Sequence, residues 1–229
     1  MLSPLTLHSN VSCVNIKFMA KEVPYHHGDL RAALVRAAAA EIERGGYETL
    51  SLRELAASLD VSRAAPYRHF ADRKALLAAL AAEGFDELSA IYRKVIAAGK
   101  SPKTNLVTSG RAYLAFAVER PQLFRLMFAS DLFGGGPPDA ALVTAAGDCY
   151  KLFEGMVAAT LDNPDDTAIK AATIAIMSTT YGFALLRMGD RLRPFMYGRL
   201  TQDELIDTVL SAKPTMLPRA VARQRRKKS

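Results

Sequence analysis

The sequence predicts an all-α fold of about nine helices, divided between a small N-terminal unit and a larger C-terminal one. Three observations carry this expectation. Apolar residues recur three and four positions apart through most of the chain, and no run alternates apolar and polar as a half-buried strand would. Helix caps, prolines and glycines interrupt that pattern at helix-sized intervals. Between Ser51 and Leu77 two short helical patterns are joined by a tight turn and succeeded at once by a third helix start.

Ser51 can cap the first of these short helices, with Glu54 three residues on completing a capping box. Leu52, Leu55, Ala56 and Leu59 then share one face. Asp60 fits the turn and Val61 can pin it to the core. Ser62 is a second cap, opening a helix of about nine residues. Its inner side would carry Ala65, Pro66, Phe70 and part of His69, and its outer side Arg63, Ala64, Tyr67 and Arg68. Pro66 falls about four residues in, where it removes only an early hydrogen bond. Asp72 caps the next helix, whose apolar side holds Leu76, Leu77 and Leu80. Two short helices with a turn of this length match the helix-turn-helix unit. Ser62, Arg63, Tyr67 and Arg68 are donors suited to phosphates and base edges. An ordinary αα-hairpin with a solvated face is the alternative reading of the spacing alone.

The remaining elements are marked by the same signals. A long helix runs from about Asp72 to Ala97, with a bend expected near Gly84. Ser101–Pro102 is a cap and first-position pair opening a helix to Glu119. Pro121 starts PQLFRLMFAS, and FGGGPPD (133–139) is a loop. Further helices run from about Asp139 to Leu161, Asp165 to Arg187 and Thr201 to Ala212, and Pro214 and Pro218 end the order.

The segment from Tyr25 to Leu80 resembles the DNA-binding domain of TetR-family transcriptional regulators. The residues that carry the likeness are GDLRAALVRAAAAEIERGGYETLSLRELA (28–56), with Gly45–Gly46 closing its first helix, and VSRAAPYRHFADRKALL (61–77) with its Tyr67, His69, Phe70 core. The resemblance implies base contacts from Ser62, Arg63, Ala64 and Ala65 at the front of a recognition helix. It implies a phosphate contact from Tyr67, a position for His69 at or beneath the DNA side, and a backbone grip by Arg73 where relatives commonly have lysine. Ser51 and Arg68 complete the expected DNA-binding set. Two departures matter. Ala65 cannot hydrogen-bond a base, although its methyl can meet a thymine methyl, and Pro66 replaces an aliphatic residue. Base readout is therefore expected chiefly from Arg63, then Arg68.

In the C-terminal part, AYLAFAVERPQLFRLMF (112–128) and STTYGFALLRMGDRL (178–192) resemble the TetR C-terminal domain named for a tryptophan-histidine-glycine motif. Met177 stands for the tryptophan and Tyr181 for the histidine, while Gly182 is kept. Aromatic residues and methionines at helical spacing, also including Met156 and Phe183, form a stripe there that is either plain core or the wall of a helix-lined pocket for a small apolar effector. The candidate lining is Tyr113, Phe116, Phe124, Met127, Phe128, Tyr150, Phe153, Met177 and Tyr181, with Arg111, Tyr181 and Arg187 as polar members. The last two long helices are expected to be apolar on more than one face, so that surface must meet something else; the family resemblance implies that it meets its twin, in a homodimer matched to a palindromic double-stranded operator.

Charge lends this reading no help. The formal charge is +7, but residues 25–80 carry eight basic and seven acidic side chains, and 81–218 fourteen and fifteen. The excess belongs to RAVARQRRKKS at the end, with six basic residues and no acid, most simply a solvated tail. The organisation expected is an extension over 1–24, a DNA-binding unit over 25–80, a ligand-binding and dimerisation unit over 81–213, and a basic tail over 214–229. Met19 begins MAKEVPYHHGDLR, which looks like an alternative start to Met1. Cys13 and Cys149 suit neither a zinc site nor a disulfide framework, so no metal or cofactor is expected and a reducing cytoplasm is the default. No uninterrupted apolar run reaches the ~18 residues of a membrane span. There is no P-loop, GxSxG or HExxH motif, and His8, His26, His27 and His69 lie apart from any carboxylate cluster. The expectation is a DNA-binding regulator and not an enzyme. A repressor released by ligand is favoured, with an activator or, much less, a small-molecule carrier as alternatives.

Overall fold

A computed structural model describes residues 30–134 and 136–211. The N-terminal extension, the choice between Met1 and Met19, and the basic tail lie outside the described residues. Within them are nine α-helices and no strand: α1 (Leu30–Gly45), α2 (Leu52–Ser58), α3 (Arg73–Ala97), α4 (Pro102–Glu119), α5 (Pro121–Ala129), α6 (Ala140–Ala158), α7 (Asp166–Met188), α8 (Pro194–Tyr197) and α9 (Gln202–Ser211).

The helices begin where side chains can satisfy their first amides. Ser51, Asp72, Ser101, Asp139 and Asp165 each accept a backbone N–H three residues on, at 3.4, 2.8, 3.2, 3.0 and 2.7 Å. Each such cap contributes about 1 kcal/mol. Helix α9 starts with a reciprocal box: Glu204 N–H donates to Thr201 Oγ1 at 3.2 Å, and Thr201 N–H to Glu204 Oε2 at 2.8 Å. At the other end of α1, Gly46 adopts φ +84 and returns its N–H to Ile42 O at 2.7 Å. That left-handed closure is why a glycine stands there.

Helix α3 is the axis of the molecule. It packs on α1 at its start and on α4, α5 and α6 along its length, burying Leu76, Leu77, Leu80, Phe85, Leu88, Ile91 and Tyr92. The boundary expected at 80/81 therefore falls inside one continuous helix, which belongs to both units. Gly84, where a bend was expected, lies within unbroken α-helix. Gly84 instead lets α5 approach, because a Cβ there would stand 2.6 Å from Met127 Sδ and 3.3 Å from both Leu123 methyls.

One expectation is corrected here. Of the two helices expected to be apolar on more than one face, α7 alone has an apolar outer face, where Ile174 is 59% and Leu185 39% exposed. Helix α9 turns Leu205, Ile206, Val209 and Leu210 inward and presents Asp203, Glu204, Asp207 and Thr208 to solvent. By length and composition alone α7 is apolar enough to cross a membrane, with an 18-residue window of mean hydropathy 1.4, although Ser178, Thr179 and Thr180 interrupt its apolar run. Its inner face packs on α4, α6 and α9.

Candidate functional site

The turn after α2 is built by a chain reversal that needs no glycine. Asp60 adopts φ +53, its N–H donates to Ala57 O at 3.2 Å, and Val61 N–H donates to Ala56 O at 3.0 Å. This pair of bonds is the Schellman closure, with an aspartate tolerating the left-handed position.

The nine-residue helix expected from Ser62 does not form. Residues 62–65 make a turn, with Ala65 N–H on Ser62 O at 2.9 Å, and Pro66–Arg68 make a single 3₁₀ turn. The cause is Pro66. It has no N–H to give Ser62 O, so the i+3 amide takes that carbonyl and the coil tightens. Pro66 O then accepts from both His69 and Phe70 N–H at 3.0 Å. Pro66 and Phe70 are buried, and the Arg31 guanidinium of α1 lies 5.3 Å over the Phe70 ring, a cation–π contact that seats the segment on α1.

This geometry sorts the expected DNA-binding residues. Ser62, Arg63, Ala64, Arg68 and His69 are exposed, and Tyr67 is 48% exposed. Of the two positions expected for His69, at the DNA side or packed beneath it, its exposure excludes the second. Ala65 is half-buried, which limits what its methyl can touch. Ser51 spends its hydroxyl on the α2 cap. Arg73 turns inward: Nη2 donates to Tyr47 O across the gap to the α1–α2 connection, and its Nε is buried without a hydrogen bond. It ties the front of α3 to that connection.

Farther along the chain, α3, α4, α5, α6 and α7 frame a half-open cavity of about 470 Å³. Seven expected residues line it: Tyr113, Met127, Phe128, Tyr150, Phe153, Met177 and Tyr181. Phe116 and Phe124 do not, being fully buried core. Nor does Arg111, whose Nε donates to Asp207 Oδ1 at 2.9 Å and whose Nη1 lies 3.5 Å from Asp203, fastening α4 to α9. Arg187 is also outside the lining; burial lowers its pKa, against the pull of Asp203. Sequence reasoning missed Phe85, Leu88 and Tyr92 of α3, Phe133 of the loop, and the small residues Gly110, Ala146, Cys149, Ser178 and Thr180 that leave the space open.

The lining is electrically quiet. Burial raises the Tyr92 and Tyr113 hydroxyls well above the ordinary tyrosine range and pushes the Cys149 thiol up to about 11. Tyr150 donates to Glu154 Oε1 at 3.0 Å, and Thr180 returns its hydroxyl to Ile176 O at 2.8 Å. The walls thus present aromatic faces and neutral hydroxyls. No group of three or more metal-ligating side chains occurs among the described residues.

A short helix, a Schellman turn and a compact exposed segment, carried at the N-terminal side of a helical body, fit a DNA-binding transcriptional regulator. Known proteins agree. Residues 34–80 match the family described as bacterial regulatory proteins, tetR family, and residues 106–212 match the tetracyclin repressor-like C-terminal domain. The chain belongs to the TetR family of transcriptional regulators. Among solved structures, a protein of unknown function from Rhodococcus sp. RHA1 is 31% identical, with 82% of this chain and 97% of that one covered and a TM-score of 0.67. The TetR-family regulator PfmR of Thermus thermophilus is 19% identical, covering 77% and 96%, with a TM-score of 0.55. The TetR-family repressor FadR of the same organism, solved with lauroyl-CoA, is 19% identical, covering 75% and 96%, with a TM-score of 0.50. No curated protein matches the chain.

Proposed function

We propose that the chain is a homodimeric repressor that leaves a palindromic operator when a small, uncharged, apolar molecule fills the cavity. The observation that carries this reading is the cavity itself: about 470 Å³, walled by aromatic rings from five helices and lacking any charged lining residue. Burying an ion there would cost several kcal/mol without a partner, so the effector is neutral at its buried end. The exposed apolar stripe of α7, with Ile174, Met177 and Leu185, supports pairing with a second copy. The α9 face is too acidic to lead that contact. Two copies would set their reading segments about 34–36 Å apart, in successive major grooves.

Reading is assigned to Arg63 first and Arg68 second, with Ser62, Tyr67 and His69 placing the segment on the backbone. The units proposed are 25–80 for DNA and 81–213 for ligand and pairing, sharing α3. The test is selection of bound duplexes from a random library, with titration of the Arg63→Ala variant on the selected sites. It should relax preference at one position of each half-site at a cost of about 1–3 kcal/mol, whereas Tyr67→Phe weakens all sequences alike. Unchanged base preference in Arg63→Ala sinks the assignment.

A further inference from the structure

Helix α5 lacks a cap of its own. The residue at its entry is Arg120, whose side chain offers no acceptor, and no side-chain cap comes from it. The missing acceptor arrives from the DNA-binding unit. Glu43, in the last turn of α1, takes Gln122 N–H on Oε2 at 3.2 Å and Leu123 N–H on Oε1 at 3.1 Å. These are the orphan amides that a helix start must satisfy, and a carboxylate suits the positive end of the helix. Arg120 closes the corner: its Nη1 donates to Glu87 Oε2 of α3 at 2.9 Å and its Nε stands 4.0 Å from Glu43 Oε1. One carboxylate and one guanidinium thereby join α1, α3 and the α4–α5 corner.

The two ends of this clasp touch the two sites. The far end of α5 supplies Met127 and Phe128 to the cavity wall. On the other side, α1 carries Arg31 over Phe70 and so seats the reading segment. Helix α5 is nine residues long, roughly 13 Å, short enough to move as a rigid piece. We propose that Glu43 is the positioning residue that couples the cavity to the reading segment, by capping α5 in the DNA-binding state and losing that cap when the cavity fills. The proposal rests on the regulator reading above. Linkage makes the coupling reciprocal: DNA binding must favour the capped state.

The test is hydrogen–deuterium exchange of the full chain with and without a duplex carrying the selected operator. In the wild type, DNA should slow exchange at residues 62–70 and also, by about 5–10-fold, in the first turn of α5. In Glu43→Ala the 62–70 protection should remain while the α5 response disappears, and Glu43→Gln should give an intermediate response. A purely structural cap would make α5 exchange faster in Glu43→Ala while wild-type α5 ignored DNA. Wild-type α5 that ignores DNA, or a Glu43→Ala response equal to wild type, overturns the proposal. If Glu43→Ala does not fold, Glu43→Gln and Arg120→Gln decide between the same outcomes. Missing protection at 62–70 in the wild type refutes DNA reading itself, and the coupling with it.

Discussion

Phe124 separates core from cavity, and its replacement can be worked out from its surroundings. Its side chain is fully buried, and its ring lies 5.2 Å from Tyr113, 4.8 Å from Phe128 and 5.9 Å from Tyr181, centroid to centroid. All three neighbours line the cavity while Phe124 stands behind them. Phe→Ala in a core costs about 3–5 kcal/mol in total, a range that already contains the loss of aromatic pairs at about 0.5–1.5 kcal/mol each. The wall cannot collapse inward to heal the gap, because its other side is already empty. Phe124→Ala should therefore lose about 4 kcal/mol, a large share of a stability that is typically roughly 5–15 kcal/mol. With m near 2–3 kcal/mol/M in urea, the midpoint should fall by about 1.3–2 M at unchanged m. The measurement is urea unfolding at fixed protein concentration, since a dimer's midpoint depends on it. Binding of N-phenyl-1-naphthylamine, a neutral aromatic probe, should survive in the folded protein, because the cavity grows. A loss under about 1.5 kcal/mol together with abolished probe binding would refute this placement, and make Phe124 a ligand contact as its sequence position suggests.

Three other substitutions have definite outcomes. Arg73→Ala should cost about 1–3 kcal/mol by removing a charge-assisted bond to the Tyr47 carbonyl, which is left with only the long Leu50 N–H contact at 3.4 Å, with the salt dependence of operator binding unchanged. A slope reduced by about 1 at wild-type stability would return Arg73 to the phosphates. Ile174→Glu places a charge on the exposed α7 stripe and should shift sedimentation toward monomer at micromolar concentration. An unmoved dimer would locate the pairing face elsewhere. Glu83 is exposed on α3, yet the protein around its carboxyl withdraws enough water to raise its pKa, against Arg31 and Arg36. Between the ordinary carboxylate value and that raised one, the folded chain holds a proton that the unfolded chain has lost. The contribution of Glu83 to stability thus falls as pH rises through that interval and stays unfavourable above it. Glu83→Gln should raise the thermal midpoint at pH 7, with the gain vanishing towards pH 4; a gain that grows on acidification would contradict the sign.

Local chemistry was legible and distant pairing was not. Ser51, Asp72, Ser101, Asp139 and Asp165 announce their helices because a cap needs only the next three residues. The cavity was half legible, because helical period gives a face but not a depth. Phe124 and Phe128 are four apart on the same side of α5, yet one ring is sealed behind the wall and the other forms it. What opens the space is the set of small partners on facing helices, Gly110, Ala146 and Ser178, and nothing local marks them as opposite an aromatic ring. Arg111 and Glu43 found partners about ninety-six and eighty residues away, beyond any spacing rule. The reading segment is the opposite case. Its proline is in plain view and costs an α-helix little so near the start, but the relevant quantity is the carbonyl that Pro66 cannot serve. Ser62 O goes to the i+3 amide, and Pro66 O in turn serves two donors, so the segment is short and tightly wound. A tight 3₁₀ turn rotates its side chains by about 120° per residue, not the 100° of an α-helix. Arg63 and Tyr67, four positions apart, are then not held on one line as an α-helix would hold them. Restoring the missing donor tests this directly. Pro66→Ala should lengthen the segment into α-helix, visible as amide protection at position 66. It should also shift which base pair Arg63 prefers while leaving the number of phosphate contacts, and so the salt slope, as it was.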